Sequence, residues 1–422
     1  MNMTSFVNFG RAHRRGARWA VAGAGAALAL LLSSCNHDAV YCCYTFNMPN
    51  SVAIADVNGD GLPDLLVATT ADTLGLPQNP GFANVILNTS GSPGTFKRGV
   101  QYPSTGYNPA SIAVADLTGS GGLDLVVASG SGNVSVYIHG ASPGTFKSAV
   151  DISTGGAPNQ VVLADVNGDG HPDIVLADLS SSGGVILLLQ DPANPGQFLA
   201  PSKLATGATC ASVAVADLNG DGAADLVATF YDGSGNNGEV YVFYQVAAQP
   251  GTFLAPVIFP AGAGPQSVKA ADMNGDGLTD LVVANFGPGT DGVGISGVSV
   301  LLQDPANAGR FLAPVSYGTP GGSVDVAVAD LDGDGNLDVA VANLGPDPKG
   351  SISVLLQNPQ QPGVLLGGTS YTGFGNPLGV AIADLNNDGL PDIAAADGLS
   401  ATVMLQVSGQ PGKFAAAVQV GQ

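Results

Sequence analysis

The nine-residue stretch Asp56-Val57-Asn58-Gly59-Asp60-Gly61-Leu62-Pro63-Asp64 constrains this chain more than any other feature, because it recurs seven times. The later copies run from Asp116 to Asp124, Asp165 to Asp173, Asp217 to Asp225, Asp272 to Asp280, Asp330 to Asp338 and Asp384 to Asp392, and their starts lie 60, 49, 52, 55, 58 and 54 residues apart. The seven copies hold 21 of the chain's 32 aspartates. The acid is therefore packaged into loops, and two carboxylates about 4 Å apart repel by about 4 kcal/mol at an effective dielectric of about 20. Such clusters call for a counter-ion.

One Asp-Asn-Gly string is a plain turn, since these residues favour turns for backbone reasons alone. Seven copies with fixed internal spacing point instead to a cation site. Oxygen-bearing side chains at loop positions 1, 3, 5 and 9, with the position-7 carbonyl, make the donor set of a hard cation such as calcium. The first copy supplies Asp56, Asn58, Asp60 and Asp64 with Leu62 at position 7, and the third Asp165, Asn167, Asp169 and Asp173 with His171. The fourth supplies Asp217, Asn219, Asp221 and Asp225 with Ala223, and the fifth Asp272, Asn274, Asp276 and Asp280 with Leu278. The sixth supplies Asp330, Asp332, Asp334 and Asp338 with Asn336, and the seventh Asp384, Asn386, Asp388 and Asp392 with Leu390. The second has Thr118 and Ser120 between Asp116 and Asp124, so it is expected to be weak or empty; the sixth, with four carboxylates, is expected to bind most strongly. An EF-hand is excluded, because that loop needs a bidentate Glu at position 12, where the first copy has Val67.

Each repeat follows one programme. A run such as Ser51 to Asp56, alternating Val or Ile with Ala, reads as a strand buried on both faces. After the loop comes an apolar strand, as at Leu65 to Ala68, and then a third, as at Val298 to Gln303. A Pro-Gly turn and an aromatic lead into a fourth strand, as at Pro93 to Phe96 and Pro411 to Phe414; copy six has Val364-Leu365 in place of the Phe. The Phe is expected to plug the core between neighbouring units. Four strands in about 53 residues, seven times over, predict an all-β fold, a seven-bladed β-propeller of four-stranded blades with calcium-binding loops, over residues 50–422. The last repeat holds its own fourth strand within Phe414 to Val420, so the ring is expected to close by side-chain packing without strand exchange.

The loop, the Pro-Gly-x-Phe turn and the period together resemble the FG-GAP/VCBS repeat family, which includes the integrin α-subunit propeller. The resemblance implies calcium at loop positions 1, 3, 5 and 9, and some of that family's members carry the repeats beside a lyase or phospholipase domain.

Residues 1–34 read as a lipoprotein export signal: Arg11, Arg14, Arg15 and Arg18 precede a 14-residue apolar run from Trp19 to Leu32. The run ends in Leu32-Ser33-Ser34-Cys35, which resembles a lipobox, making Cys35 the lipidated residue, residues 35–49 a tether and the outer membrane or cell surface of a bacterial envelope the expected location. Removing the leader leaves eight Lys and Arg against 33 Asp and Glu, a formal net charge of −25, or −11 with seven calcium ions. Eight scattered cations exclude a nucleic-acid footprint. Cys42, Cys43 and Cys210 remain, an odd number, with a vicinal Cys42–Cys43 bridge and free thiols both open.

With strands alternating in direction, the metal loops and Pro-Gly turns share one face. The loops between second and third strands share the other, with long insertions at 70–82, 231–238, 285–297 and 343–350. Function on rigid scaffolds concentrates in such loops, and Tyr107, Tyr231, Phe286, Tyr317, Tyr371 and Phe374 are the ligand candidates on or near that face. After the leader only His37, His139 and His171 remain, and the chain has no Gly-x-Ser-x-Gly elbow or zinc-type His/Cys cluster. The expected function is a monomeric, lipid-anchored binding or adhesion module for a glycan or protein. The alternatives are a polysaccharide lyase or hydrolase acting on the propeller surface, and a structural scaffold of an envelope complex.

Overall fold

The computed structural model describes residues 49–70, 80–231, 238–287, 296–345, 350–397 and 400–421. The leader, Cys35, Cys42, Cys43 and most of the four long insertions lie outside them. No helix among the described residues is long and apolar enough to cross a membrane. Everything regular in them is β: seven four-stranded antiparallel sheets, each made from consecutive strands. In the first blade β1 (Pro49–Ala55), β2 (Asp64–Thr70), β3 (Pro80–Ile86) and β4 (Val100–Tyr107) run from the axis to the rim.

A single blade cannot bury its own faces, and the hydrophobic core is accordingly divided into seven clusters, one in each seam between neighbouring blades. The second strands are buried along their whole length, as in Asp124–Ser129 and Asp173–Asp178. Phe146, Phe311 and Phe414 plug their seams as the sequence predicts. Where copy six lacks the aromatic, Leu365 takes its place, 4% exposed and bridged to Gln357 as each aromatic is bridged to its equivalent.

The expectation that the first strands are buried on both faces needs correction. They are buried only near their starts and half-buried beyond, as in Pro109–Ala115 and Pro158–Ala164, because one edge faces the axis and not another strand. The Val/Ile–Ala alternation serves crowding there, where these strands come closest together. A β-bulge in every first strand adds polar contacts between blades at the axis. Gln160 Oε1 accepts from Val213 N at 2.7 Å, Ser212 Oγ from Val268 N at 3.1 Å and Asp325 Oδ2 from Val380 N at 3.0 Å.

Among the described residues the ring closes as expected, without strand exchange. The last sheet is Pro377–Ala383, Asp392–Asp397, Ser400–Met404 and Val418–Val420, all from the seventh repeat, so only the final part of the predicted Phe414–Val420 run is strand. Val52, Leu65, Val67 and Ile86 of blade 1 pack against Leu385, Ala394 and Val403 of blade 7, and Asn88 Nδ2 donates to Leu385 O at 2.7 Å.

Candidate metal centres and the faces of the ring

Each nine-residue loop connects the first and second strands of its blade, and its geometry is that of a backbone wrapped round its own carboxylates. In blade 6, Asp330 Oδ1 accepts from Gly333 N at 2.7 Å and Oδ2 from Gly335 N at 2.9 Å. Asp332 Oδ1 accepts from Asp334 N at 3.1 Å, and Asp334 Oδ1 from Asn336 N at 2.8 Å. The turn needs left-handed backbone at positions 4 and 6, with φ of 77° at Gly333 and 89° at Gly335. In blade 7 position 4 is Asn387, at φ 59°, a residue type that tolerates this region.

The ninth position is the inner anchor. Asp338 is 1% exposed, with Oδ2 accepting from Leu331 N at 2.8 Å and Oδ1 from Gln357 N at 2.7 Å. Burial pushes its carboxyl up to about 6, against the lowering effect of those two hydrogen bonds, and Asp64, Asp173, Asp225, Asp280 and Asp392 are likewise raised to about 6. Like charge in the same loop adds to the rise. No ion pair among the described residues neutralises these six carboxylates. In blade 6, oxygens of Asp330, Asp332 and Asp338 lie within 4.8 Å of one another, close enough to share one cation. Desolvation and the neighbouring Asp334 also raise Asp332. The donor set is all oxygen, which fits calcium.

Sequence reading misses the residue that ties each loop to the next turn. Gln357 donates Nε2 to Leu337 O at 2.7 Å and accepts at Oε1 from Gly363 N at 2.6 Å, while its backbone N holds Asp338. Asn88, Gln190, Gln245, Gln303 and Gln406 occupy the same place. The signal was present, since in these six blades an Asn or Gln stands eight residues before the bridged aromatic or Leu. The turn in turn leans on the preceding blade's loop: a Cβ at Gly412 would lie 3.3 Å from Asp332 Cβ, and one at Gly144 3.2 Å from Asn58 Cβ. Loops and Pro-Gly turns therefore share a face.

Blade 2 departs from this scheme. In place of the amide it has His139, whose Nδ1 donates to the carboxylate Asp124 Oδ1 at 2.7 Å and whose Nε2 lies 3.2 Å from Ser120 Oγ. Thr118 Oγ1 and Ser120 Oγ are 2.9 Å apart. Position 7 is Gly122, where a Cβ would come within 2.6 Å of the imidazole. The ring is thus accompanied by three further departures from the pattern, Thr118, Ser120 and Gly122. Desolvation raises Asp116, but the backbone N–H groups of Gly121, Ser120, Gly119 and Thr118 outweigh it and hold the carboxylate below its usual range.

The six aromatic candidates separate. Tyr107 is 37% exposed at the end of β4. Phe374 is 4% exposed in the blade 6–7 seam, Phe286 packs against the same cluster, and Tyr371 meets Phe414 edge-on with its hydroxyl 3.4 Å from Gly412 O. Tyr317 packs in the blade 5–6 seam with a buried hydroxyl that has no partner. These four residues are packing groups in the structure. The side chain of Tyr231 lies outside what is described. Cys210 is free and buried, and burial pushes its thiol far above the usual range, which makes it an unreactive packing residue.

A search of curated proteins finds no match to the sequence. Among solved structures the chain resembles the Pseudomonas aeruginosa periplasmic gluconolactonase PpgL, with 19% identity, TM-score 0.57 and 85% of this chain covering 96% of that one. It also resembles a putative 6-phosphogluconolactonase from Bacteroides fragilis, with 14% identity, TM-score 0.53 and 84% covering 95%. The BBS1N chain solved in complex with ARL6DN matches at 12% identity and TM-score 0.50, with 87% covering 94%. At these identities the likeness is one of fold. The model of the FG-GAP-like repeat matches residues 56–127, 116–176, 165–228, 230–283, 273–341 and 337–395. Six matches spread over most of a seven-bladed ring, each spanning at least part of an Asp-rich loop, make this chain a member of the FG-GAP-like repeat family.

Proposed function

We propose that this chain is a calcium-stabilised propeller, held at the bacterial envelope by lipid on Cys35, that binds a glycan or protein through loops on the face opposite the metal loops. The observation that carries the calcium reading is the set of six buried ninth-position carboxylates, raised to about 6 and without an ion-pair partner among the described residues. Calcium would be held by the side chains at positions 1, 3, 5 and 9 and the carbonyl at 7. It would supply the positive charge that lets these carboxylates ionise beside one another. The metal face is then committed to stability, and recognition falls to the uneven loops opposite.

Native mass spectrometry of the protein from residue 36 onward, with and without calcium, counts the ions, and a glycan array with envelope pull-downs tests recognition. Six bound ions and a saturable ligand that survives substitutions in the metal loops support the reading. Lactone hydrolysis, which the names of two fold neighbours raise, or depolymerisation of uronic-acid polymers by the purified protein, would replace it with an enzyme.

A further inference from the structure

The rim of the ring is divided by charge. Blades 7, 1 and 2 are consecutive, and their Pro-Gly turns and the runs into their outermost strands carry Lys413, Lys97, Arg98 and Lys147, all exposed. That is half of the eight cations found after residue 34. Of the others, Lys203 is paired with Asp178 at 2.5 Å, Lys269 is on the innermost strand of blade 5, Arg310 shares its turn with Asp304, and Lys349 lies outside the described residues. Blades 3, 4, 5 and 6 have Leu199, Leu254, Leu312 and Leu366 where blades 1 and 2 have Lys97 and Lys147.

The outermost strands of the basic blades open on Val100, Val150 and Val418, which are 52%, 65% and 58% exposed. The one acid in the turns and outermost strands of these three blades, Asp151, accepts from Ser135 Oγ at 2.5 Å. Cations beside exposed apolar side chains match the headgroup boundary of an anionic bilayer better than they match a soluble polyanion, which would use only the charge.

We infer that the rim of blades 7, 1 and 2 is a docking surface for an anionic lipid membrane. The chain enters the ring at Pro49, on the innermost strand of blade 1, which is the middle blade of this arc, fourteen residues after Cys35. Fourteen extended residues reach about 50 Å, enough to bring that edge against the bilayer that holds the lipid. The turns and outermost strands of blades 3 to 6 carry Lys203 and Arg310 against Asp191 and Asp304 and add no net attraction, which leaves the basic arc as the edge that meets the bilayer. The biological setting rests on the lipid-anchor reading; the surface itself does not.

Every strand among the described residues comes from 49–420, so the protein from residue 36 onward, lacking Cys35, is the material for the test. It is sedimented with vesicles of phosphatidylcholine alone and mixed with phosphatidylglycerol, at one fixed calcium concentration. Binding to the mixed vesicles only, weakening with salt, is expected. Lys97→Ser, Arg98→Ser, Lys147→Ser and Lys413→Ser together lower affinity several hundredfold, about fivefold per cation. Val100→Ser, Val150→Ser and Val418→Ser lower affinity without changing the salt slope, and Arg310→Ser changes nothing. Unaltered melting temperatures separate these losses from misfolding. Equal binding to both vesicle types, or a quadruple variant that binds like the parent, overturns the inference, as does binding to polygalacturonate without binding to vesicles. Lipid labelling of the full chain against Cys35→Ala tests the anchor separately, so either reading can fail alone.

Discussion

The loops of blades 2 and 6 have the same backbone and opposite chemistry. Both wrap their first Asp in backbone N–H groups and bury their ninth under a second-residue N–H, Leu117 to Asp124 at 2.9 Å and Leu331 to Asp338 at 2.8 Å. Blade 6 then adds two more carboxylates and an amide-bearing Gln357, whereas blade 2 adds two hydroxyls and an imidazole that hydrogen-bonds across the loop. In blade 2 a side chain reaching in from the end of the third strand bridges the inner Asp to the outer rim of the loop, and in blade 6 the proposed cation would do the same.

The largest expected effect separates the two kinds of loop in bulk. Stripping calcium from the protein should lower its melting temperature strongly, since each site filled at 100 times its dissociation constant contributes about 2.7 kcal/mol. Native mass spectrometry should then count six ions and not seven; a seventh breaks the comparison.

Next in size is the pH response of the calcium-free protein. Its six ninth-position carboxyls are raised to about 6 from 3.8, so between those values the folded state holds more protons than the unfolded. Stability should fall as pH rises through that window and level off above it. Calcium should abolish the fall, and calorimetry across pH 4 to 7 in chelator and in calcium reads both arms.

Asp338→Ala removes a buried charged acceptor from two backbone donors and should cost about 3 kcal/mol in calcium. Chelator should shrink that cost, whereas the cost of Asp124→Ala should not change; urea denaturation in both conditions measures this. Converting blade 2 to the common pattern, with Thr118→Asn, Ser120→Asp, Gly122→Leu and His139→Gln together, should add one ion to the count and about 2.7 kcal/mol at 100 times the new dissociation constant. An unchanged count would show that the backbone of this loop also differs. The smallest effect is His139→Ala, about 1 kcal/mol for a partly exposed hydrogen-bonded ring, equal with and without calcium.

Much of this was legible in the sequence because it is written in local spacing. Asp, Asn and Gly at fixed positions within nine residues set a loop whatever surrounds it, and seven loops about 53 residues apart allow little besides a ring of blades. What was not legible depends on neighbours through space. Gln357 and its equivalents lie at variable distances from their own loops, because insertions between the second and third strands differ, and only their spacing to the following aromatic is steady. His139 carries meaning only once Ser120 and Asp124 are known to lie beside it. Phe286 and Phe374 resemble surface aromatics until the next blade covers them. The first strands alternate like fully buried ones because the sequence does not say that one of their edges faces an axis.

The seam between blades 7 and 1 is made of the same parts as the seam between blades 6 and 7: a shared apolar cluster, a side-chain amide donating to the second residue of the preceding blade's loop, and a turn resting on that loop. Asn88 reaches Leu385 as Gln406 reaches Leu331, and Gly94 sits on Asn386 as Gly412 sits on Asp332. Where the polypeptide starts is thus incidental to the closed ring. A gene rearranged so that translation begins at Pro109, with the old ends joined by a short linker, should give the same circle of blades. A propeller that borrows a strand from its other terminus to complete its last sheet has a privileged break point, and the described residues of this one show no such loan.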